Sequence, residues 1–324
     1  MSKVNQKKFA LSPSLIVTIV VLALLYILAG TGVFSSNTVR ILLSMCLYCA
    51  MGTMWNLMSG HCGLTSLGQQ SFIGLAGYTL AVMTAYYSLP YWMAIIVGAV
   101  LAGLLALGLS LVFFRMRGMY FAVATWITAE ALKTIFTSWT FVKQGAGMTV
   151  KLRPYPSTTE IFFLALSLAI AATLVVHFLL QSRTGLGLSA MGNDADAASS
   201  VGVNIFKSKL ICFVLSGAIT GIAGVIFYMN KGSIFPDGGF GIDWTVSIVF
   251  IVIIGGVGTA AGPIVGSIIY VLLYEFLSKY PGWSNVILGI IAIVVIVVMP
   301  DGIIGTLQKK FNFEIMSLRR HAPD

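Results

Sequence analysis

Charge is scarce in this sequence. Ten acidic and nineteen basic residues are spread over 324 positions, so charged side chains make up 9% of the chain, against roughly a quarter in a soluble globular domain. Together with 58% apolar residues and a mean hydropathy of +0.97, this excludes a soluble enzyme or binding domain of ordinary composition. No interval between the apolar runs is long enough for a second domain, so residues 1–324 read as one all-α, polytopic transmembrane domain. Histidine is rarer still, at three; His61 and His177 read as lone packing or interface residues. The four cysteines, Cys46, Cys49, Cys62 and Cys212, lie in or beside apolar runs and read as small buried hydrophobes, supporting neither a disulfide framework nor a zinc knuckle. No metal and no cofactor is expected. GxxxxGKS/T, HExxH, GxSxG and paired carboxylates are all missing, so the chain has no nucleotide site of the P-loop kind and no catalytic constellation. Any active transport must then draw on an ion gradient or on another subunit.

What is there is a succession of long apolar runs. Candidate spans cover 14–34, 39–58, 63–86, 91–114, 119–139, 160–181 and 208–230. The block 244–278 is too long for one helix and is broken by GGVGTAAGP at 255–263, and a last span covers 283–299. Reading the broken block as two short helices gives about ten spans; reading it as one gives nine. The net charge of +9 does not point to nucleic acid, because the basic residues fall at span ends, where they set orientation. Ten spans bring twelve of the nineteen basic residues to one side, Arg115, Arg117, Arg183, Lys207 and Lys209 among them. Both termini and the loop 182–209 are therefore expected in the cytoplasm.

Two regions depart from plain lipid-facing helix. GHCGLTSLGQQSFIGLAGY at 60–78 sets Gly68 and other glycines among Thr65, Ser66, Gln69, Gln70 and Ser71. Amides and hydroxyls at membrane depth are costly unless they face a cavity or a neighbouring helix, so this stretch is either a wall of a translocation path or a tightly packed small-residue seam. The second region, 238–263, holds Asp243, Gly255, Gly256, Gly258 and Pro263; interrupted segments in both halves of a transporter point to a central site. Inside the spans, Glu130 and Lys133 stand at i, i+3 and can pair, as a structural ion pair or as part of a polar pathway. Glu275 and Lys279, at i, i+4, look like an interfacial pair.

The loop 182–209 carries its own helix signals. Asn193 can N-cap, Asp196 lies three residues on, and Gly202 stands where a C-terminal left-handed glycine belongs. Small residues, Ala195, Ala197, Ala198, Ser199 and Ser200, would let a partner groove approach closely. The segment reads either as a knob to be gripped by a protein outside the membrane or as a solvated interfacial helix.

Several of these stretches resemble one family, the inner-membrane permeases of bacterial branched-chain amino-acid ABC importers. GLTSLGQQSFIGLAGYTLA at 63–81, RMRGMYFAVATWITAE at 115–130, SRTGLGLSAMGNDADAASSVGVN at 182–204, IIGGVGTAAGPIVGS at 253–267 and MPDGIIG at 299–305 occur in the family's order. The resemblance implies a subunit that forms the translocation path with a homologous second permease. Its other partners would be two cytoplasmic ATPase subunits, an extracytoplasmic solute-binding protein and the lipid bilayer. It also implies that the loop docks the ATPase through Gly185, Ala190, Asn193, Asp194, Asp196, Ala197, Ala198 and Gly202. The family commonly has arginines where this chain has Leu186, Ser189 and Gly192, and the stretch 192–202 also resembles ribose-type sugar permeases. Urea and amide permeases belong to the same broader branch. The competing class is a gradient-driven secondary transporter or channel working through Glu130, Lys133 or Asp243.

Overall fold

The computed structural model describes residues 35–116, 118–182, 184–185, 187–188, 191, 204–279 and 283–311. The expected first span, 14–34, and most of the loop 182–209 lie outside them.

The first described helix, α1 (Ser36–Asn56), is N-capped by Ser35, whose hydroxyl accepts from Thr38 N, and runs on through one π-helical turn, Leu57–His61. Its strongest apolar stretch is 67% buried, against 22% for α3 (Tyr91–Phe113), so α1 is central and α3 peripheral. Between them lies α2 (Gln69–Ala85). Next come α4 (Met119–Ser138), α5 (Thr158–Gln181) and α6 (Ile205–Lys231). α5 opens with a reciprocal Ser157–Glu160 capping box, and α6 is capped by Asn204. α1 packs against α5 and α6, and α6 packs against α2 and α3.

The α3–α6 contact shows how the bundle is held. Ala94, Gly98, Ala102, Ala106 and Ser110 bury one stripe of α3, meeting Gly217 and Gly221 of α6 so closely that a Cβ on Gly221 would lie 2.6 Å from the Ala102 Cβ. Small residues allow backbones to approach where lipid removes the hydrophobic drive for association. The opposite stripe, Trp92, Ile96, Val100, Leu104 and Leu111, is exposed and wholly apolar, the surface expected against acyl chains.

After α6 the chain turns back into the bundle. A two-residue antiparallel ribbon pairs β1 (Met148–Thr149) with β2 (Ser233–Ile234), and Val150 N donates to Gly232 O at 2.9 Å. The short α7 (Pro236–Phe240) then carries Phe240 inward, fully buried against Gly74, Tyr78 and Phe136. Three helices complete the second half: α8 (Asp243–Gly255), α9 (Gly262–Leu277) and α10 (Ser284–Val298), with α11 (Gly302–Phe311) at the end. They build a second apolar cluster around Phe250, Ile254, Tyr270 and Leu288. Irregular backbone such as 232–242 is tolerated in a membrane protein only where protein buries it or a cavity wets it.

Among the described residues, six helical stretches are long and apolar enough to cross a membrane: Ser36–His61, Tyr91–Phe113, Thr158–Gln181, Ile205–Lys231, Pro236–Gly255 and Val286–Lys310. Gly262–Leu277 is apolar but shorter. The chain is thus an all-α polytopic membrane protein. The break expected at 255–263 is present, between α8 and α9. The span drawn at 63–86 has a helix only from Gln69, because Gly63 takes a left-handed φ of +65° and the segment up to Gly68 is non-helical. Glu275 and Lys279 do not pair among the described residues; both are exposed near the end of α9, where water screens such a pair.

Candidate translocation cleft

Two polar features organise the interior. The first is at the end of α1. Asn56, buried, donates through Nδ2 to Thr259 O at 2.8 Å and accepts from Gly258 N at 2.7 Å. One residue earlier, Trp55 Nε1 donates to Ser66 O at 2.8 Å. Neighbouring side chains of α1 therefore hold both glycine-rich regions, 60–71 and 255–262, at one end of the bundle. Gly60 meets Gly258 so tightly that a Cβ on it would stand 2.6 Å from Gly258 N. Gly256, at φ +119°, has a backbone that L side chains rarely adopt and turns the chain against Asp301 and Gly305.

Within the first region, Ser66, Gly68, Gln69, Gln70 and Ser71 are buried and Thr65 is exposed. Leu67 N donates to Thr125 Oγ1 at 3.0 Å, and Gly68 leaves room for the Thr125 carbonyl. Gln70 uses its amide nitrogen on Leu67 O at 3.1 Å and its oxygen on the Thr245 hydroxyl. In the second region Gly255 and Gly256 are buried and Gly258 is partly so. Ser66, Gly68 and Gln70 are thereby locked into contacts between segments, while Gln69 Oε1 and Ser71 Oγ are buried without a hydrogen-bond partner among the described residues. His61 and His177, read as lone histidines, instead line one small cavity of about 10 Å³ with Asn56, Thr53 and Thr173.

The second feature is a cleft of about 800 Å³. Aromatic rings and a few polar groups line it, among them Tyr48, Phe227, Trp244 and Tyr270 with Lys231, Asp237, Asp243 and Ser247. Its size and mixed lining suit a small solute. Ser247 Oγ and Tyr270 OH are 2.5 Å apart, Tyr48 meets Tyr270 edge-on at 5.1 Å, and Phe227 meets Trp244 at 4.6 Å. The re-entrant turn forms one wall, fixed by Tyr228 OH and Trp244 Nε1, which both donate to Gly238 O at 2.6 and 2.8 Å. Of the residues the sequence singled out in its two polar regions and at Glu130 and Lys133, Asp243 lines this cleft, whereas Thr65, Ser66, Gly68, Gln69, Gln70, Ser71, Glu130, Gly255, Gly256 and Gly258 do not; of the stretch 65–71 only Leu67 does.

At its edge stands a mixed-charge trio. Lys133 Nζ lies 3.1 Å from Glu130 and 3.0 Å from Asp237. The Glu130–Lys133 pair was legible as i, i+3; Asp237, which also lines the cleft, was not. Glu130 is 52% and Asp237 88% exposed. Insertion of a charged side chain at the centre of a bilayer-spanning helix costs about 3 kcal/mol, so this face of α4 is built to meet water or protein. Asn56, Tyr48, Tyr270 and Asp237 were all missed in the sequence. Asn56 gave a signal, a carboxamide in an apolar run; Asp237 sat in a PDGG stretch that reads as an ordinary turn.

At the loop end, Ser182 closes α5 by donating to Leu179 O at 2.6 Å, and Gly185 N donates to Ser182 Oγ at 3.3 Å. Gly185 is buried against the Leu180 backbone, where a Cβ would overlap. Ala190, Asn193, Asp194, Asp196, Ala197, Ala198 and Gly202 lie outside the described residues. Phe114 packs edge-on against Phe206 at 5.5 Å, so Arg115 and Lys207, both next to these rings, share one end of the bundle.

A helical membrane bundle with a re-entrant wall, a solute-sized cleft and charge at its edge is a transport protein in its class. Comparison with known proteins gives the family. The chain belongs to the branched-chain amino acid transport system permease components, whose family description matches residues 37–299. It is similar to the high-affinity branched-chain amino acid transport system permease protein LivM of Escherichia coli K12, 24% identical over 97% of this chain and 78% of the relative. It is also similar to the fructose import permease protein FruG of Bifidobacterium longum, 24% identical over 91% of this chain and 94% of the relative. Similarity to the E. coli permease protein LivH is 29% over 40% of this chain. No solved structure matches the chain.

Proposed function

We propose that this chain is the transmembrane permease subunit of an ATP-driven ABC importer for branched-chain amino acids or related small polar solutes. It crosses the bacterial inner membrane about ten times with both termini in the cytoplasm. It forms the path with a homologous second permease, is driven by two cytoplasmic ATPase subunits, and receives solute from an extracytoplasmic binding protein. The observation that carries this reading is similarity to a branched-chain amino acid permease over 97% of the chain. The pairing of LivM-like and LivH-like sequences among its relatives supports a two-permease assembly.

The geometry supports a mechanism. ATPase closure pushes on the loop 182–209, where the sequence places a knob at Asn193 to Gly202, outside the described residues. That force reaches α5 and α6 directly, and α1 through its packing against both. Asn56 and Trp55 then carry it to the two glycine-rich segments, so the bundle rocks between outward-facing and inward-facing states. Thr65 to Ser71 and Gly255 to Gly258 act as the hinge of the path, and the cleft with Glu130 at its edge as its wall.

Reconstitution of the chain with its neighbouring subunits tests this. ATP-dependent uptake of leucine, isoleucine or valine that is lost without the ATPase is the expected result. Uptake by this chain alone, driven by an ion gradient and abolished by Glu130→Gln, overturns it. A second reading, a sugar permease, rests on the similarity to the fructose import permease across nearly both full lengths; uptake of a pentose or hexose but no amino acid establishes that one instead.

A further inference from the structure

We infer that Lys133, Asp237 and Glu130 form a contact site for the charged head of a zwitterionic solute, with Lys133 taking its carboxylate and the two acids its ammonium. This rests on the transport reading and assigns residues within it.

The trio is arranged for exchange. Lys133 is the least exposed member, at 28%, and sits between two carboxylates that remain open on their outer sides. A structural ion pair on a membrane helix is normally enclosed between helices or turned toward a water-filled cavity; here Glu130 shares its α4 face with exposed Trp126, Ile127 and Thr134, and Asp237 stands open on α7. α3, by contrast, presents only apolar side chains on its outer stripe. The trio carries one positive and two negative charges, which disfavours a simple anion, and a simple cation that takes Asp237 gives Lys133 no carboxylate in exchange. A zwitterion replaces what it displaces: its ammonium takes Asp237, releasing Lys133 for its carboxylate, so each charge of the trio keeps a partner. Asp237 belongs to the cleft as well as to the trio, and Phe227, Trp244 and Tyr48 on the cleft wall offer the apolar surface for an aliphatic tail.

The test compares leucine, isoamylamine and isovalerate, which share a branched tail and differ in head charge. Binding is read by saturation-transfer NMR at millimolar ligand on the full chain with its co-expressed partner subunits in nanodiscs, with lipid-only nanodiscs subtracted. The site predicts that wild type favours leucine. Lys133→Gln and Asp237→Asn each weaken leucine about tenfold, the loss of one charged contact. In Lys133→Gln isoamylamine holds as well as before or better. Equal binding of isoamylamine and leucine by wild type overturns the proposal, as does leucine binding unchanged in both variants. Parallel loss of both ligands in each variant marks a purely structural pair and overturns it too; the ratio of two ligands within one sample does not depend on how much protein folds. Failure of the transport reading shows separately, as absent ATP-dependent uptake while wild type still binds leucine.

Discussion

Asn56 and Gly258 meet in a two-way contact: the Gly258 amide donates to Asn56 Oδ1 at 2.7 Å while Asn56 Nδ2 donates to the carbonyl of the next residue, Thr259, at 2.8 Å. One buried carboxamide thereby satisfies two backbone groups in a glycine turn that has no helix or strand to do so. It also fixes the end of α1 to the hinge between α8 and α9.

Replacing Asn56 with Ala is expected to leave both backbone groups unpaired and to lower stability by about 1–3 kcal/mol. Asn56→Asp keeps the acceptor for Gly258 but sets a second carboxylate oxygen against the Thr259 carbonyl in a buried site, so its loss should be at least as large. Thermal unfolding of the purified chain in detergent, followed by tryptophan fluorescence, measures both. Equal melting of wild type and Asn56→Ala would remove the tie from the account.

Two glycine substitutions should part company. Gly68→Ala drives a Cβ into the Thr125 carbonyl, part of the α4 backbone that cannot rotate aside, and is expected to cost roughly 1–3 kcal/mol as an overpacked contact. Gly108→Ala, on the exposed side of α3 with nothing within 4 Å, gains roughly 0.5–1 kcal/mol of helix stability. Midpoints of heat unfolding for the two variants give the signs directly.

If the cleft holds water, a cysteine placed on it reacts with a charged thiol reagent. Ser247→Cys and Asp243→Cys in membrane vesicles should label at least tenfold faster than Val100→Cys, which lies on the apolar outer stripe of α3. The native thiols of Cys49, Cys62 and Cys212 are buried, and the parent chain supplies their background. Slow labelling at all three positions would mean that the cleft is filled by protein or lipid.

The docking role proposed for the loop 182–209 has a direct assay. Ala198→Trp or Asp196→Trp is expected to abolish co-purification of the ATPase subunit while the permease remains in the membrane at normal level. Retention of the ATPase by both variants would place its dock elsewhere on the chain.

The sequence disclosed features set by near neighbours. The interruption between α8 and α9 was visible because glycine and proline act through their own backbone angles, and Glu130 with Lys133 because one helical turn brings them together. Other features depend on distant chain. The start of α2 at Gln69 instead of Gly63 combines the left-handed backbone at Gly63 with the hold of Trp55 and Thr125 on the segment before it. His61 and His177 line one cavity through the packing of α1 against α5.

By itself, then, the sequence determined the solvent in which this protein folds, the places where its helices break and the family to which its motifs point, since composition and backbone preference are local properties. Only the tertiary structure decided that Asp237 completes a charge trio with Glu130 and Lys133, and that Asn56 joins two glycine-rich turns. Both contacts require the chain to re-enter the bundle after α6 and to pack α8 and α9 on α1, and no local periodicity encodes where a returning segment comes to rest.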